Sequence, residues 1–203
     1  MTIIKIAEDD YESAIDVANA ELGSGGIIVY PTDTVYGLGG DATSEEAVRK
    51  ILGIKGIKGR RPLSVMMSDF NMIEYYCETG IWEDIILRKY LPGPYTFVLK
   101  KREYIAATQT DKLGVRIPDN AFCQALCKRF GRPIITTSAN LTGERPPVDF
   151  SQVNEKIVKR ANLAIDGGLT KYRQPSMVVD LVERKMLREG AKGGINLLEL
   201  PEP

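Results

Sequence analysis

YPTDTVYGLGGDATS, residues 30–44, follows directly on the apolar run Ile27-Ile28-Val29-Tyr30. Gly25-Gly26 before the run and the turn residues after it bound a short buried strand. The loop that follows carries the hydroxyls of Thr32, Thr34 and Tyr36 and the glycines Gly37, Gly39 and Gly40, with no lysine and no general base. Hydroxyls and bare backbone N–H groups are suited to holding phosphate or carboxylate oxygens. Strand ends in open α/β sheets are where ligand sites of this kind collect.

Outward from this strand, residues 10–22 carry a helical stripe at Ile15, Ala18 and Leu22, ended by Gly23-Ser24-Gly25-Gly26. Downstream, Thr43-Ser44-Glu45-Glu46 fits a capping box for a helix through about Leu52. Lys55 to Arg61 reads as a basic glycine-containing loop, and 63–67 as a strand. Helices at 69–78 and 81–91 follow, the second stopped by Pro92-Gly93-Pro94. Strands are expected at 95–99, 113–117 and 134–137, and Asp119 is placed to cap a helix carrying Phe122, Leu126 and Phe130. A helix near 151–160 and strands near 163–165, 177–181 and 185–188 complete the set. No repeat, low-complexity linker or composition break divides the 203 residues, so one α/β domain spanning 1–203 around a mixed sheet is expected.

Composition narrows the chemistry. With 43% apolar and 27% charged residues the chain is an ordinary globular sequence, able to bury a core without disulfides or structural metal. No segment approaches the ~20 apolar residues of a membrane span. Met1 to Ala7 runs straight into Glu8-Asp9-Asp10, unlike a signal peptide, so the expected location is the cytoplasm. Histidine is absent, which excludes Ser-His-Asp and Cys-His catalysis and leaves proton transfer to Asp, Glu, Lys, Tyr or the substrate. Cys123 and Cys127 are one helical turn apart, but without histidine partners they read as buried thiols rather than a zinc site, and no metal site is expected. The 27 basic and 27 acidic residues cancel, so nonspecific binding to nucleic acid by overall charge is not indicated.

Several strands end in polar stretches: Thr32-Asp33-Thr34, Ser138-Ala139-Asn140 and Arg188-Glu189-Gly190, with Arg116 closing another. Each has a plain alternative. Ser-Ala-Asn makes ordinary turns, Lys55, Lys58, Arg60 and Arg61 suit a solvated loop, and strand alternation can turn Arg116 to solvent. No Walker sequence and no G-x-G-x-x-G is present. From the residues alone, the reading is a polar anion-binding cleft in an α/β protein.

The ordered motifs carry a resemblance. Pro31-Thr32-Asp33-Thr34-Val35-Tyr36-Gly37-Leu38-Gly39, Pro92 to Leu99, Val115-Arg116-Ile117-Pro118, Thr137 to Gly143, Ile165-Asp166-Gly167-Gly168, Ser176 to Asp180 and Leu187-Arg188-Glu189-Gly190 together resemble the YrdC-type threonylcarbamoyl-AMP synthase family. The resemblance implies a three-layer YrdC/RibB-like α/β domain with a twisted mixed sheet and a concave cleft. It also implies a nucleotidyltransferase that makes L-threonylcarbamoyl-AMP from L-threonine, bicarbonate and ATP, with Mg²⁺ on the phosphates and pyrophosphate released. The product would serve threonylcarbamoyl transferase proteins that modify tRNA. Carried over by motif, Thr32, Arg116 and Ser176 resemble threonine-binding residues, and Ser138, Asn140 and Arg188 nucleotide contacts.

The sequence departs from the family between Lys55 and Met67. Aligned without gaps, Lys55 takes the place of the family lysine, Ile57 stands where an arginine belongs, and Met66 replaces a strand histidine of the threonine pocket. Lys55 with Arg60 is read as the pair of functional cations, catalytic and nucleotide-binding, with Lys58 as the alternative lysine. The YciO-like branch departs in the same region, so a paralogue with different nucleotide chemistry and a non-catalytic binder of tRNA or other structured RNA are the competing readings.

Overall fold

The computed structural model describes residues 2–7 and 10–191. The first half of the chain forms β1 (Thr2–Lys5), α1 (Glu12–Gly23), β2 (Ile28–Tyr30), β3 (Gly37–Gly39), α2 (Glu45–Ile54), β4 (Val65–Met66), α3 (Phe70–Tyr76), β5 (Cys77–Glu78) and α4 (Ile81–Tyr90). The second half forms β6 (Tyr95–Lys101), β7 (Lys112–Arg116), α5 (Ala121–Phe130), β8 (Ile134–Ile135), β9 (Thr137–Ser138), α6 (Glu155–Val158), β10 (Leu163–Asp166), β11 (Met177–Asp180) and β12 (Lys185–Arg188).

Strands run in two sheets of mixed sense. One has the order β1-β10-β2-β3-β9; the other runs β12-β11-β6-β7-β4-β8, with β5 beside the far end of β6. Strand alternation assigns the two faces. Ile28, Tyr30, Leu163, Ile165, Met66 and Ile134 point to one side, where α1 and α5 cover them. Val29, Ala164, Val65, Ile135, Phe97, Val115 and Val179 point to the other, into the larger core shared with α2 and α4. The helices thus form outer layers around the sheets, as the α/β reading expects.

Local chemistry explains where the structure departs from sequence expectation. Ser44 is the N-cap of α2, its hydroxyl accepting from Ala47 N–H at 3.3 Å, so position N3 is alanine and no capping box closes. Asn120, not Asp119, caps α5. The helix expected near 151–160 shrinks to a 3-10 turn at Phe150–Gln152 and the single turn of α6. The run 134–137 splits: β8 pairs with β4 in one sheet and β9 with β3 in the other. Gly37-Leu38-Gly39, read as loop, is a strand, and its glycines have a packing role. A Cβ at Gly37 would meet the Tyr30 ring at 2.9 Å and one at Gly39 would meet it at 2.7 Å, so the ring lies across β3 only because both lack side chains.

Candidate functional site

The face of the second sheet covered at one end by α5 is open at the other. Tyr95, Phe97 and Leu99 of β6 point into the core, as do Leu113 and Val115 of β7 and Met177 and Val179 of β11. The intervening positions therefore point outward. Pairing aligns Arg188 with Val178 and Val178 with Thr96. The β6–β7 register, Phe97 opposite Val115, then brings Arg116 level with Thr96. The result is one row, Arg188-Val178-Thr96-Arg116, along the floor of an open cleft. Gly37 and Ser138, paired across β3 and β9, supply a wall from the first sheet, and Pro62, Pro146 and Pro175 line the remainder.

At one end of the row, Arg116 is buried against the opening loop. Its Nη2 pairs with Asp33 Oδ1, and its Nη1 donates to Thr34 Oγ1 at 3.0 Å. Thr32 Oγ1 donates to the Val35 carbonyl at 2.7 Å, which leaves Thr34 to donate to Thr32 across 3.0 Å. Asp33 Oδ2 accepts from Asp119 N–H at 3.0 Å. Burial raises the Asp33 carboxyl above its ordinary value, against the pull of the Arg116 guanidinium and the Asp119 N–H. Arg116 Nε is buried and has no hydrogen-bond partner.

Arg188 closes the other end. Its Nε and Nη2 donate to the Ser176 carbonyl at 3.0 and 2.8 Å, and Nη2 also reaches Ser176 Oγ at 3.0 Å. Ser176 Oγ lies 2.9 Å from Thr96 Oγ1. Desolvation first, and Arg116 second, hold the Arg188 guanidinium below its ordinary value. Among the described residues Arg188 makes no ion pair, so it is the uncompensated positive charge of the cleft.

Of the residues singled out in the sequence, Thr32, Arg116, Ser138, Ser176 and Arg188 line the cleft together. Lys55, Arg60 and Asn140 do not. Lys55 is buried beneath the cleft wall, its Nζ donating to the carbonyls of Ser138 at 2.5 Å and Asn140 at 2.9 Å; burial draws it down to about 8. Arg60 turns outward to Glu45 at 2.9 Å, and Lys58 is exposed. Asn140 braces its own loop through Nδ2, 2.9 Å from the carbonyls of Leu141 and Glu144, and leaves Oδ1 buried without a partner. Met66 lies under α5 rather than in the cleft, so its replacement of a histidine changes core packing there.

Sequence reasoning passed over Ser64 and Thr96, both in the lining, which also holds Thr34 of the hydroxyl loop. For Thr96 the signal was present: a hydroxyl at the outward position of an otherwise apolar alternation. Among the described residues no group of three His, Cys, Asp or Glu side chains is placed to hold a metal ion. No helix among them is long and apolar enough to cross a membrane. A second, wider groove runs past Glu78, Lys100 and Val182, where Arg184 stacks on the Trp82 ring at 4.6 Å. Two of its charges, Lys100 and Glu78, neutralise one another at 3.0 Å.

Comparison with known proteins agrees with the fold. The Sua5/YciO/YrdC family model, whose description reads Telomere recombination, matches residues 20–190. A Methanocaldococcus jannaschii protein provisionally named threonylcarbamoyl-AMP synthase is 34% identical over 191 residues, covering 93% of this chain and 91% of its own. The crystal structure of P. abyssi Sua5 complexed with L-threonine superposes with a TM-score of 0.87 at 32% identity, over 94% of this chain; the chain spans 58% of that protein's length. E. coli YciO superposes at 0.86 with 26% identity, covering 97% of this chain and 99% of its own.

Proposed function

The chain belongs to the Sua5/YciO/YrdC family, and from that premise we propose that it is an L-threonylcarbamoyl-AMP synthase acting in the cytoplasm. The observation that carries the proposal is the division of one sheet face into two polar ends. Arg116 is neutralised by Asp33 at one end, and Arg188 stands without a carboxylate at the other. The L-threonine bound to P. abyssi Sua5 supports assigning one end to an amino acid.

In this reading Arg116, with Thr32 nearby, receives the threonine carboxylate, and Ser176, which bridges Thr96 and Arg188, contacts the amino acid from the middle of the row. Arg188 and Ser138 receive the nucleotide, and Asn140 shapes the loop that carries Ser138. The threonine amine adds to CO2 derived from bicarbonate, losing a proton to form a carbamate. A carbamate oxygen attacks the α-phosphorus of ATP, and the bond to the β-phosphate oxygen breaks as pyrophosphate leaves. The nucleophile belongs to the substrate, so a chain without histidine needs only to position two anions and offset their charge. Mg²⁺ brought in with ATP would offset phosphate charge, with no carboxylate cluster of this chain to hold it among the described residues. The adenylate then passes to a transferase acting on tRNA.

The test is incubation with ATP, bicarbonate and L-threonine while pyrophosphate and threonylcarbamoyl-AMP are followed. Product that requires both threonine and bicarbonate is the expected result. Arg116→Ala should weaken threonine binding and Asn140→Ala ATP binding; the reverse pattern in calorimetry sinks the role assignment. A second reading, nucleotide chemistry of the YciO-like branch, is favoured by one observation: Lys55 and Arg60 both face away from the cleft. ATP binding without threonine-dependent product decides for it, and salt-sensitive RNA binding with neither decides for an RNA-binding module.

A further inference from the structure

A free arginine in a cleft offers five N–H donors and a full charge to any anion. Arg116 does not. Asp33, whose side chain is wholly buried, holds Nη2, and Thr34 holds Nη1. Both holders are themselves held. Asp33 is pinned through Oδ2 by the Asp119 N–H and through its carbonyl by the Tyr172 N–H at 2.8 Å, and Thr34 leans on Thr32, which is bonded to Val35. A pair that served only the fold would have every donor satisfied, because a buried donor without a partner is costly. Here Nε remains buried and unpaired beside the cleft.

We propose that Asp33 and Thr34 are positioning residues that fix which edge of Arg116 meets substrate and keep phosphate out of the amino-acid end of the cleft. The inference rests on the preceding assignment of Arg116 to the threonine carboxylate. Asp33 cancels the charge of Arg116, so this end holds one directed, unsatisfied N–H just beneath the cleft surface without a net cation. A carboxylate finds a donor there, while polyphosphate is drawn to the uncompensated Arg188. Without Asp33, Arg116 becomes a second open cation and phosphate competes with the amino acid.

Calorimetry of L-threonine binding to the full chain, with and without inorganic phosphate, tests this. In wild type, millimolar phosphate leaves threonine affinity unchanged. In Asp33→Asn, threonine binding weakens about tenfold, the scale of one charge-assisted bond, and phosphate becomes competitive with it. Thr34→Val preserves the ion pair and the side-chain volume, and weakens threonine about fivefold while the KM for ATP stays within about twofold. Should Asp33→Asn not fold, Arg116→Ala decides with Thr34→Val: millimolar guanidinium restores its threonine binding by occupying the place between Asp33 and Thr34. Threonine affinity within twofold of wild type in Thr34→Val, or no guanidinium rescue, overturns the positioning role. Phosphate competition already present in wild type overturns the exclusion role. A wild-type chain that binds no threonine overturns the preceding reading as well, so the two failures are distinct.

Discussion

Lys55 commits its ammonium to two backbone carbonyls, and its own carbonyl accepts from the Thr142 hydroxyl at 3.0 Å. It is a clasp on the loop carrying Ser138 and Asn140, and its burial has a pH signature. The side chain ionises near 10.5 ordinarily and at about 8 in the folded chain. Between those values the unfolded chain holds a proton that the folded chain has released, so this lysine's contribution to stability rises with pH and is lost as pH falls through 8. The buried thiols act in the opposite sense, Cys77 being pushed up to about 12 from an ordinary 9.0. The useful measurement is therefore the difference in unfolding free energy between wild type and Lys55→Met. From pH 7 to 9.5 that difference should move toward wild type by on the order of 2 kcal/mol. A difference flat with pH means a solvated ammonium and no clasp.

At the scale of elements, β7 shows how strand alternation builds a cleft floor. Gly114 lies between the inward Leu113 and Val115, and a Cβ there would meet Ser64 Oγ at 2.8 Å and Thr96 Cγ2 at 3.6 Å. Ser64 Oγ can rotate away, and a strand gains from losing a glycine. Gly114→Val is thus expected to keep or raise Tm while weakening threonine and ATP binding at least about tenfold, a loss of roughly 1.4 kcal/mol or more. A stable variant with wild-type affinities would place substrate elsewhere than over this floor. The same alternation marks what was legible in the sequence. The long apolar strands β6 and β11, the helices α1 and α5, and Arg116 at a strand end could be read directly. The two-residue pieces could not: β8 and β9 look like one strand until pairing partners divide them, and β1, largely exposed at a sheet edge, carries no apolar stripe. The directions of Lys55 and Arg60 were equally hidden, because a basic loop states its charge but not which carbonyl or carboxylate each cation will meet.

At the scale of the whole molecule, the chain between Ile134 and Ser138 stitches the two sheets together. Ile134 and Ile135 pair with β4, Thr137 and Ser138 with β3, and the Ile135 N–H donates to the Gly40 carbonyl at 2.8 Å. Both cores ignore the boundary between sheets: Tyr30 and Met66 share the cluster under α1 and α5, while Val29 and Phe97 share the other. Packing of this kind ties the cleft wall to its floor, which keeps Ser138 in register with Arg116 and Arg188. It also predicts cooperative loss of both sheets. Trp82, the only tryptophan, is buried on α4 close to Leu99, Leu181 and Arg184 at the second sheet, whereas far-UV circular dichroism averages over both sheets. Their urea transitions should coincide in wild type. Ile135→Ala, which empties a fully buried site at the seam, should cost about 3 kcal/mol and move both midpoints together with an unchanged slope. If the Trp82 transition stays in place while the circular dichroism shifts, the sheets unfold as separate units and the cleft lies between two independently folding parts.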